Sequence, residues 1–181
     1  MNAQLEERKR ELLLGAGNRP VKGIVLEGQS KEWSDLTTLD ISPRCNPDVI
    51  HDLNLHPLPF LDDWFDEIHA YEVLEHLGSI GDYEFFFREW SEYWRILKPG
   101  GWFFGSVPKW DSPWAWGDPS HRRIISRHML TFLSQDEYEK QVGITSMTDF
   151  RDIYKADFEV MNAGESDDSW YFCLQALKNG A

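Results

Sequence analysis

A chain of 181 residues with 41% hydrophobic and 27% charged content fits one globular domain, since domains commonly run about 100 to 200 residues. At that size neither a metal nor a disulfide is needed to hold the fold together. A formal net charge of −13 argues against stable binding to duplex nucleic acid, which needs a cationic footprint on the phosphates.

A nucleotide or sugar phosphate in a locally basic pocket stays compatible with that charge. Cys45 and Cys173 lie far apart without ligand spacing and are expected to be buried or idle thiols. The polar N-terminus lacks the apolar segment of a signal peptide. No apolar run approaches the ~20 residues that span a bilayer. A cytoplasmic protein without a membrane partner is expected.

In chain order, residues 4–10 (QLEERKR) read as a short helical lead-in, with 1–10 set aside as a lead-in to a single domain over 1–181. Residues 11–14 (ELLL) form a buried strand that runs straight into Gly15-Ala16-Gly17. From 18 to 34 the chain carries Pro20, Gly23 and Gly28, which disfavour a long helix. Strands are expected over 36–41 (LTTLDI), 49–53 (VIHDL) and 67–71 (EIHAY).

Residues 82–97 show the clearest helix: Phe86, Trp90, Tyr93 and Leu97 recur at three- and four-residue steps. Lys98-Pro99-Gly100-Gly101 is expected to end it. A strand over 102–107 (WFFGSV) and a long loop over 108–123 on the substrate side follow. Two short helices are expected near 126–133 and 135–142, the second with a capping box of Ser134 and Glu137. Strands at 158–163 and 170–177 then meet through a polar turn. The order predicts an α/β fold with a seven-stranded, mostly parallel sheet that closes in a C-terminal antiparallel hairpin.

Gly15 and Gly17 after a strand suit close backbone approach to a ligand at the carboxyl end of a sheet, although a lone G-x-G also serves as a tight turn. Asp40 ends the second strand about 20 residues beyond that turn, where an acid accepts the hydroxyls of a ribose. Asp52 ends the third strand, where a carboxylate can accept a hydrogen bond from an adenine amino group. Each acid alone is more often a solvated strand end or helix cap. Together they describe a nucleoside clamp.

The segments LLLGAGNRP, TTLDI, DVIHDLNLHPLPF, FDEIHAYEVLEH and WRILKPGGWFFGSVP, taken in order, resemble the class I S-adenosylmethionine-dependent methyltransferases. The similarity is nearest to the small type 11-like branch, including short phage-type members, and covers roughly residues 11 to 133. The resemblance implies a Rossmann-like methyltransferase fold with S-adenosylmethionine as cofactor. It implies that Gly15 and Gly17 face the methionine and ribose, and that Asp40 holds the ribose with Ile41 against the adenine. Asp52 and the Leu53 backbone then read the adenine edge, and Glu72 sits near the methionine end. The sequence departs from the family at Leu13, where an acid often precedes the glycine turn, and at 18–34, which replaces the usual first long helix.

Methyl transfer from a sulfonium needs mainly positioning, and a base only when the acceptor must lose a proton. His76 and His121 are the catalytic candidates, each weighed against a capping or packing role. Glu72, Glu75 and His76 also offer three metal ligands on one short stretch, but such carboxylates are as often solvated or paired; no metal is expected. Trp110, Trp114 and Trp116, with Trp102 upstream, either cover the sheet edge or form a lid for a ring. Lys109, Arg122 and Arg123 either hold an anionic substrate group or pair with surface acids. The leading expectation is methyl transfer to an O or N atom of a small molecule, a nucleotide or a glycan end. An NAD-dependent oxidoreductase and a non-catalytic cofactor-binding protein of the same fold are the alternatives.

Overall fold

Leu12 and Leu14 are wholly buried on one face of the first strand, and Glu11 and Leu13 are buried on the other. A strand covered on both faces belongs at the centre of a sheet. The computed structural model describes residues 8–178 and places this strand, β1 (Arg10–Leu14), inside the sheet with two strands on one side and four on the other. The other strands are β2 (Asp35–Asp40), β3 (Val49–Ile50), β4 (Phe65–Tyr71), β5 (Leu97–Pro108), β6 (Phe158–Glu165) and β7 (Ser169–Ala176). Their spatial order is β3-β2-β1-β4-β5-β7-β6. β3, β2, β1, β4 and β5 run parallel; β7 lies antiparallel to β5, and β6 antiparallel to β7. This is the expected seven-stranded sheet with its closing hairpin.

One face of the sheet packs on α1 (Tyr83–Ile96), whose N-cap Asp82 accepts the Phe85 N–H at 3.0 Å. Trp90 of α1 is wholly buried within reach of Tyr93, Phe103, Phe158 and Phe172, so the aromatic core joins helix, sheet and hairpin. Below it, the Arg123 Nη2 donates to both Glu89 oxygens at 2.8 and 2.7 Å, and its Nε donates to the Leu74 carbonyl. Burial pushes the Glu89 carboxyl up against the pull of Arg123.

The opposite face lacks the usual helix after β1, as the glycines and proline of 18–34 lead one to expect. Buried charge fastens that segment instead. Lys22 pairs with Glu11 and lies 3.0 Å from Glu67, which also takes Lys9 at 2.6 Å. Tyr71 accepts the Ile24 N–H at 3.1 Å, Glu11 accepts the Ser34 N–H at 2.6 Å, and the Trp33 edge meets His69. Burial raises the Glu67 carboxyl, but hydrogen bonds from His69, Lys9 and Lys22 overcome it and hold the group below the ordinary carboxylate range.

Several boundaries differ from expectation. Arg10 lies in β1, and the rest of the expected helical lead-in falls largely on residues 1–7, outside the described residues. β3 stops at Ile50, while β4 starts two residues early at Phe65. α1 ends at Ile96, not in the Pro-Gly-Gly run: Leu97 is already extended and pairs with Phe65. Pro99 disfavours helical geometry at the residue before it, and Gly100 takes a φ of 74° in a bulged strand start. The loop over 108–123 contains a short helix, α2 (Pro113–Gly117). The two later helices are α3 (Arg127–Leu130), continued by a 3-10 turn, and α4 (Gln135–Gln141), where Ser134 Oγ accepts the Glu137 N–H. Among the described residues no helix is long and apolar enough to cross a membrane.

Replacing Arg123 with alanine leaves Glu89 buried without its countercharge. Urea unfolding at pH 8 should show a loss of about 3 to 5 kcal/mol, shrinking toward pH 5 as Glu89 takes up a proton. A loss below about 1 kcal/mol, independent of pH, would show that the pair is not buried in solution.

Candidate active site

From β1 the chain turns toward β2 on one side, while β4 lies on the other. That switch opens a crevice at the carboxyl ends of the strands. Gly15 spans it with a φ of 61°, and a Cβ there would stand 2.5 Å from Val73 Cγ2. Only glycine lets the turn pass this close to the exit of β4. Gly17 also has positive φ, 55°, but nothing lies within 4 Å of its Cβ position. The first glycine is packed; the second faces open space.

Asp40 Oδ2 accepts the Gly17 N–H at 2.9 Å, and Oδ1 accepts the Ser42 N–H at 2.8 Å. Each carboxylate oxygen keeps a further lone pair for a ligand hydroxyl. Asp40 pairs with Ile50 in the β2–β3 ladder, and its carbonyl accepts the His51 N–H at 3.1 Å. Asp52 thus stands at the same end of the neighbouring strand. Its Oδ1 accepts both the Asn54 N–H and the Asn54 side-chain amide at 2.9 Å, which holds its carboxyl below the ordinary range. Ile41 is 63% exposed beside Asp40, whereas the Leu53 side chain is buried in the core. Gly15, Gly17, Asp40, Ile41, Asp52 and Leu53 therefore share one rim. The adjacent room above Gly17 and the spare lone pairs of Asp40 fit an adenosine.

Glu72 follows β4 with a φ of 49°, a sparsely populated geometry for a side chain with a Cβ. Its N–H donates to the Ser106 carbonyl and its Oε1 accepts from the Ser106 hydroxyl at 2.8 Å. With Arg19, Tyr71, Ser106, Asp168 and Tyr171 it lines a cleft of about 700 Å³. Tyr71 and Ser106 belong to no motif that the sequence displays. Both lie near the carboxyl ends of parallel strands, the one signal that could have marked them.

Beyond Glu72 a 3-10 turn, Leu74–His76, carries Glu75 and His76. Asn54 ties this turn to the rim: it donates to Asp52 and accepts the Gly78 N–H at 2.9 Å. The His76 and His121 rings meet edge to face, 4.7 Å between centroids. His121 Nδ1 lies 3.4 Å from the Ala115 carbonyl, and its Nε2 lies 3.9 Å from both Glu75 Oε1 and Asp118 Oδ2. His76 Nδ1 lies 3.3 Å from the Ser120 carbonyl. Glu75 is 2% exposed, and burial pushes its carboxyl up to about 8, with the charge of Glu72 adding to the rise. The two histidines read separately from the sequence thus form one group with Glu75, while Glu72 turns away to Ser106.

Two alternatives that the sequence leaves open narrow here. Arg123 is committed to Glu89 inside the protein and cannot hold a substrate anion, while Lys109 lies 3.4 Å from Glu165 and Arg122 reaches Ser79. Trp110, Trp114 and Trp116 are 66%, 61% and 69% exposed, and Trp114 lines the cleft beside Glu72.

Residues 21–105 match the family described as a methyltransferase domain. Among solved structures, a SAM-dependent methyltransferase from Archaeoglobus fulgidus aligns over 93% of this chain and 86% of its own, with 16% identity and a TM-score of 0.57. One from Methanosarcina mazei aligns over 97% and 95%, with 19% identity and a TM-score of 0.55. The N-methyltransferase NodS from Bradyrhizobium japonicum WM9, in complex with S-adenosyl-L-homocysteine, aligns over 94% and 79%, with 16% identity and a TM-score of 0.55. At these identities the solved structures establish the fold. No curated protein sequence matches the chain. The chain therefore has a Rossmann-like methyltransferase fold, and the domain match over residues 21–105 supports an S-adenosylmethionine-dependent methyltransferase.

The two glycines of the turn should respond differently to substitution. Gly17→Ala meets only backbone strain, about 1 to 2 kcal/mol, whereas Gly15→Ala adds a clash with Val73 and should cost more in urea unfolding. Equal losses would contradict the packing of this turn.

Proposed function

We propose that the protein transfers the methyl group of S-adenosylmethionine to an O or N atom of a small molecule, a nucleotide or a glycan end. The observation that carries the cofactor half is the convergence of the Gly15–Gly17 turn, Asp40 and Asp52 on one rim at the ends of three adjacent strands. The cofactor, when bound, supplies an already activated methyl group. Asp40 accepts the ribose hydroxyls while its backbone bonds hold the carboxylate in place. Ile41 covers the adenine, and Asp52 with the Leu53 backbone reads its edge. Glu72 stands at the methionine end, fixed by Ser106.

The acceptor half rests on His76 and His121, which face one another beyond Glu72. A proton of His121 on Nδ1, toward the Ala115 carbonyl, leaves the lone pair on Nε2. Such a pair can orient an acceptor or take up its proton. The three exposed indoles of the 110–116 segment offer flat faces to a base, a sugar or an aromatic ring. That favours a ring-bearing acceptor, and the net charge of −13 favours a free one over a duplex. The oxidoreductase reading is weaker: the turn lacks a third glycine, and no helix follows it among the described residues of 18–34.

Calorimetry of Asp40→Ala with S-adenosylmethionine should show binding weakened by about 1.5 to 3 kcal/mol, the range for hydrogen bonds to a charged group. Undiminished affinity would refute the ribose assignment. His121→Ala should cut turnover by about 10²- to 10⁴-fold while cofactor affinity holds; a parallel fall in both would mark His121 as structural.

A further inference from the structure

Two clusters of carboxylates and histidines lie in this protein, and their electrostatics differ. Glu11, Glu67 and His69 are buried together, but Lys22 and Lys9 neutralise them. Glu75, His76 and His121 have no such cation. One potential ligand atom from each lies within 4.8 Å of the others. Both Glu75 carboxyl oxygens are buried and have no hydrogen-bond partner among the described residues. The nearest guanidinium, that of Arg123, is taken by Glu89 and the Leu74 carbonyl. Asp118, 3.9 Å from His121 Nε2, adds a further acid.

A buried carboxylate without a partner is costly. One aimed between two imidazoles is what a cation would satisfy. We propose that Glu75, His76 and His121 bind a divalent first-row transition cation, of which Zn²⁺ is the type. Two imidazoles and one carboxylate suit such ions better than Mg²⁺ or Ca²⁺, which favour all-oxygen shells.

The spacing also fits. Ligands at about 2.0 to 2.2 Å from a tetrahedral centre stand about 3.4 Å apart, so the trio needs to draw in by about 1 Å. The second shell is in place at His121, whose Nδ1 faces the Ala115 carbonyl and leaves Nε2 to ligate. Three protein ligands leave a coordination position open, as in sites that bind a substrate oxygen or nitrogen. The proposal rests on the reading of this cluster as the acceptor side, and it makes the histidines ligands where a free base would otherwise act. It also departs from the expectation, drawn from sequence alone, that no metal is bound. Glu72, the third ligand considered there, lies outside the cluster and accepts the Ser106 hydroxyl instead.

The test uses tag-free full-length protein stripped with a chelator and then titrated with Zn²⁺ by calorimetry and with Co²⁺ by visible absorption. One equivalent of Zn²⁺ per chain and Co²⁺ ligand-field bands are expected. Glu75→Gln and His121→Ala should each weaken Zn²⁺ binding at least tenfold, with circular dichroism unchanged. Uptake below one equivalent, or equal affinity in wild type and the folded His121→Ala variant, overturns the site. Should Glu75→Gln fail to fold, His76→Ala and His121→Ala carry the comparison. A parallel titration with S-adenosylmethionine separates the two readings. Stoichiometric Zn²⁺ without cofactor binding leaves the metal site standing and overturns the methyltransferase reading; cofactor binding without Zn²⁺ does the reverse.

Discussion

The hydrogen bond from the Gly17 N–H to the Asp40 carboxylate is the contact on which the site depends. It ties the turn after β1 to the end of β2, and so sets the height of the glycine loop against the Asp40 carboxylate. The turn reaches that position only because Gly15 passes over Val73 in left-handed geometry. One backbone constraint thus couples the packed β1–β4 junction to the open rim above β2 and β3. Asp52 and Asn54 extend that coupling to the turn that carries Glu75 and His76.

A second constraint works from below. Without a helix of its own, the 18–34 segment is held by Lys22, Glu11, Glu67 and Tyr71. Ion pairs buried in this way are fixed in geometry more than they are rich in net free energy. They suit a segment that must stay put beside a ligand cleft while lacking regular structure. Arg123 and Glu89 play the corresponding part on the helical face, where they anchor the end of the 108–123 loop under α1.

Much of this was legible in the sequence because it is local. The apolar period of 86–97, the glycines after ELLL and the strand-ending acids each follow from neighbours within a few positions. The start of β5 at Leu97, ahead of the expected Trp102, was not, because it is set by the pairing of Leu97 with Phe65, far away in the chain. The same holds for the roles of charged side chains. Arg122 and Arg123 are adjacent in sequence, yet one reaches the surface and the other lies inside with Glu89, a partner 34 positions distant. The union of Glu75 with His121 depends likewise on a loop that folds back from the far end of β5. Tertiary contacts of that kind leave no periodic trace.

The account stands most directly on where the nucleoside lies. A crystal structure of the protein with S-adenosyl-L-homocysteine should place the ribose hydroxyls on Asp40, the adenine between Ile41 and Asp52, and the sulfur toward Glu72. A nucleoside lodged on the opposite face of the sheet, or a rim that stays empty at saturating ligand, would contradict it.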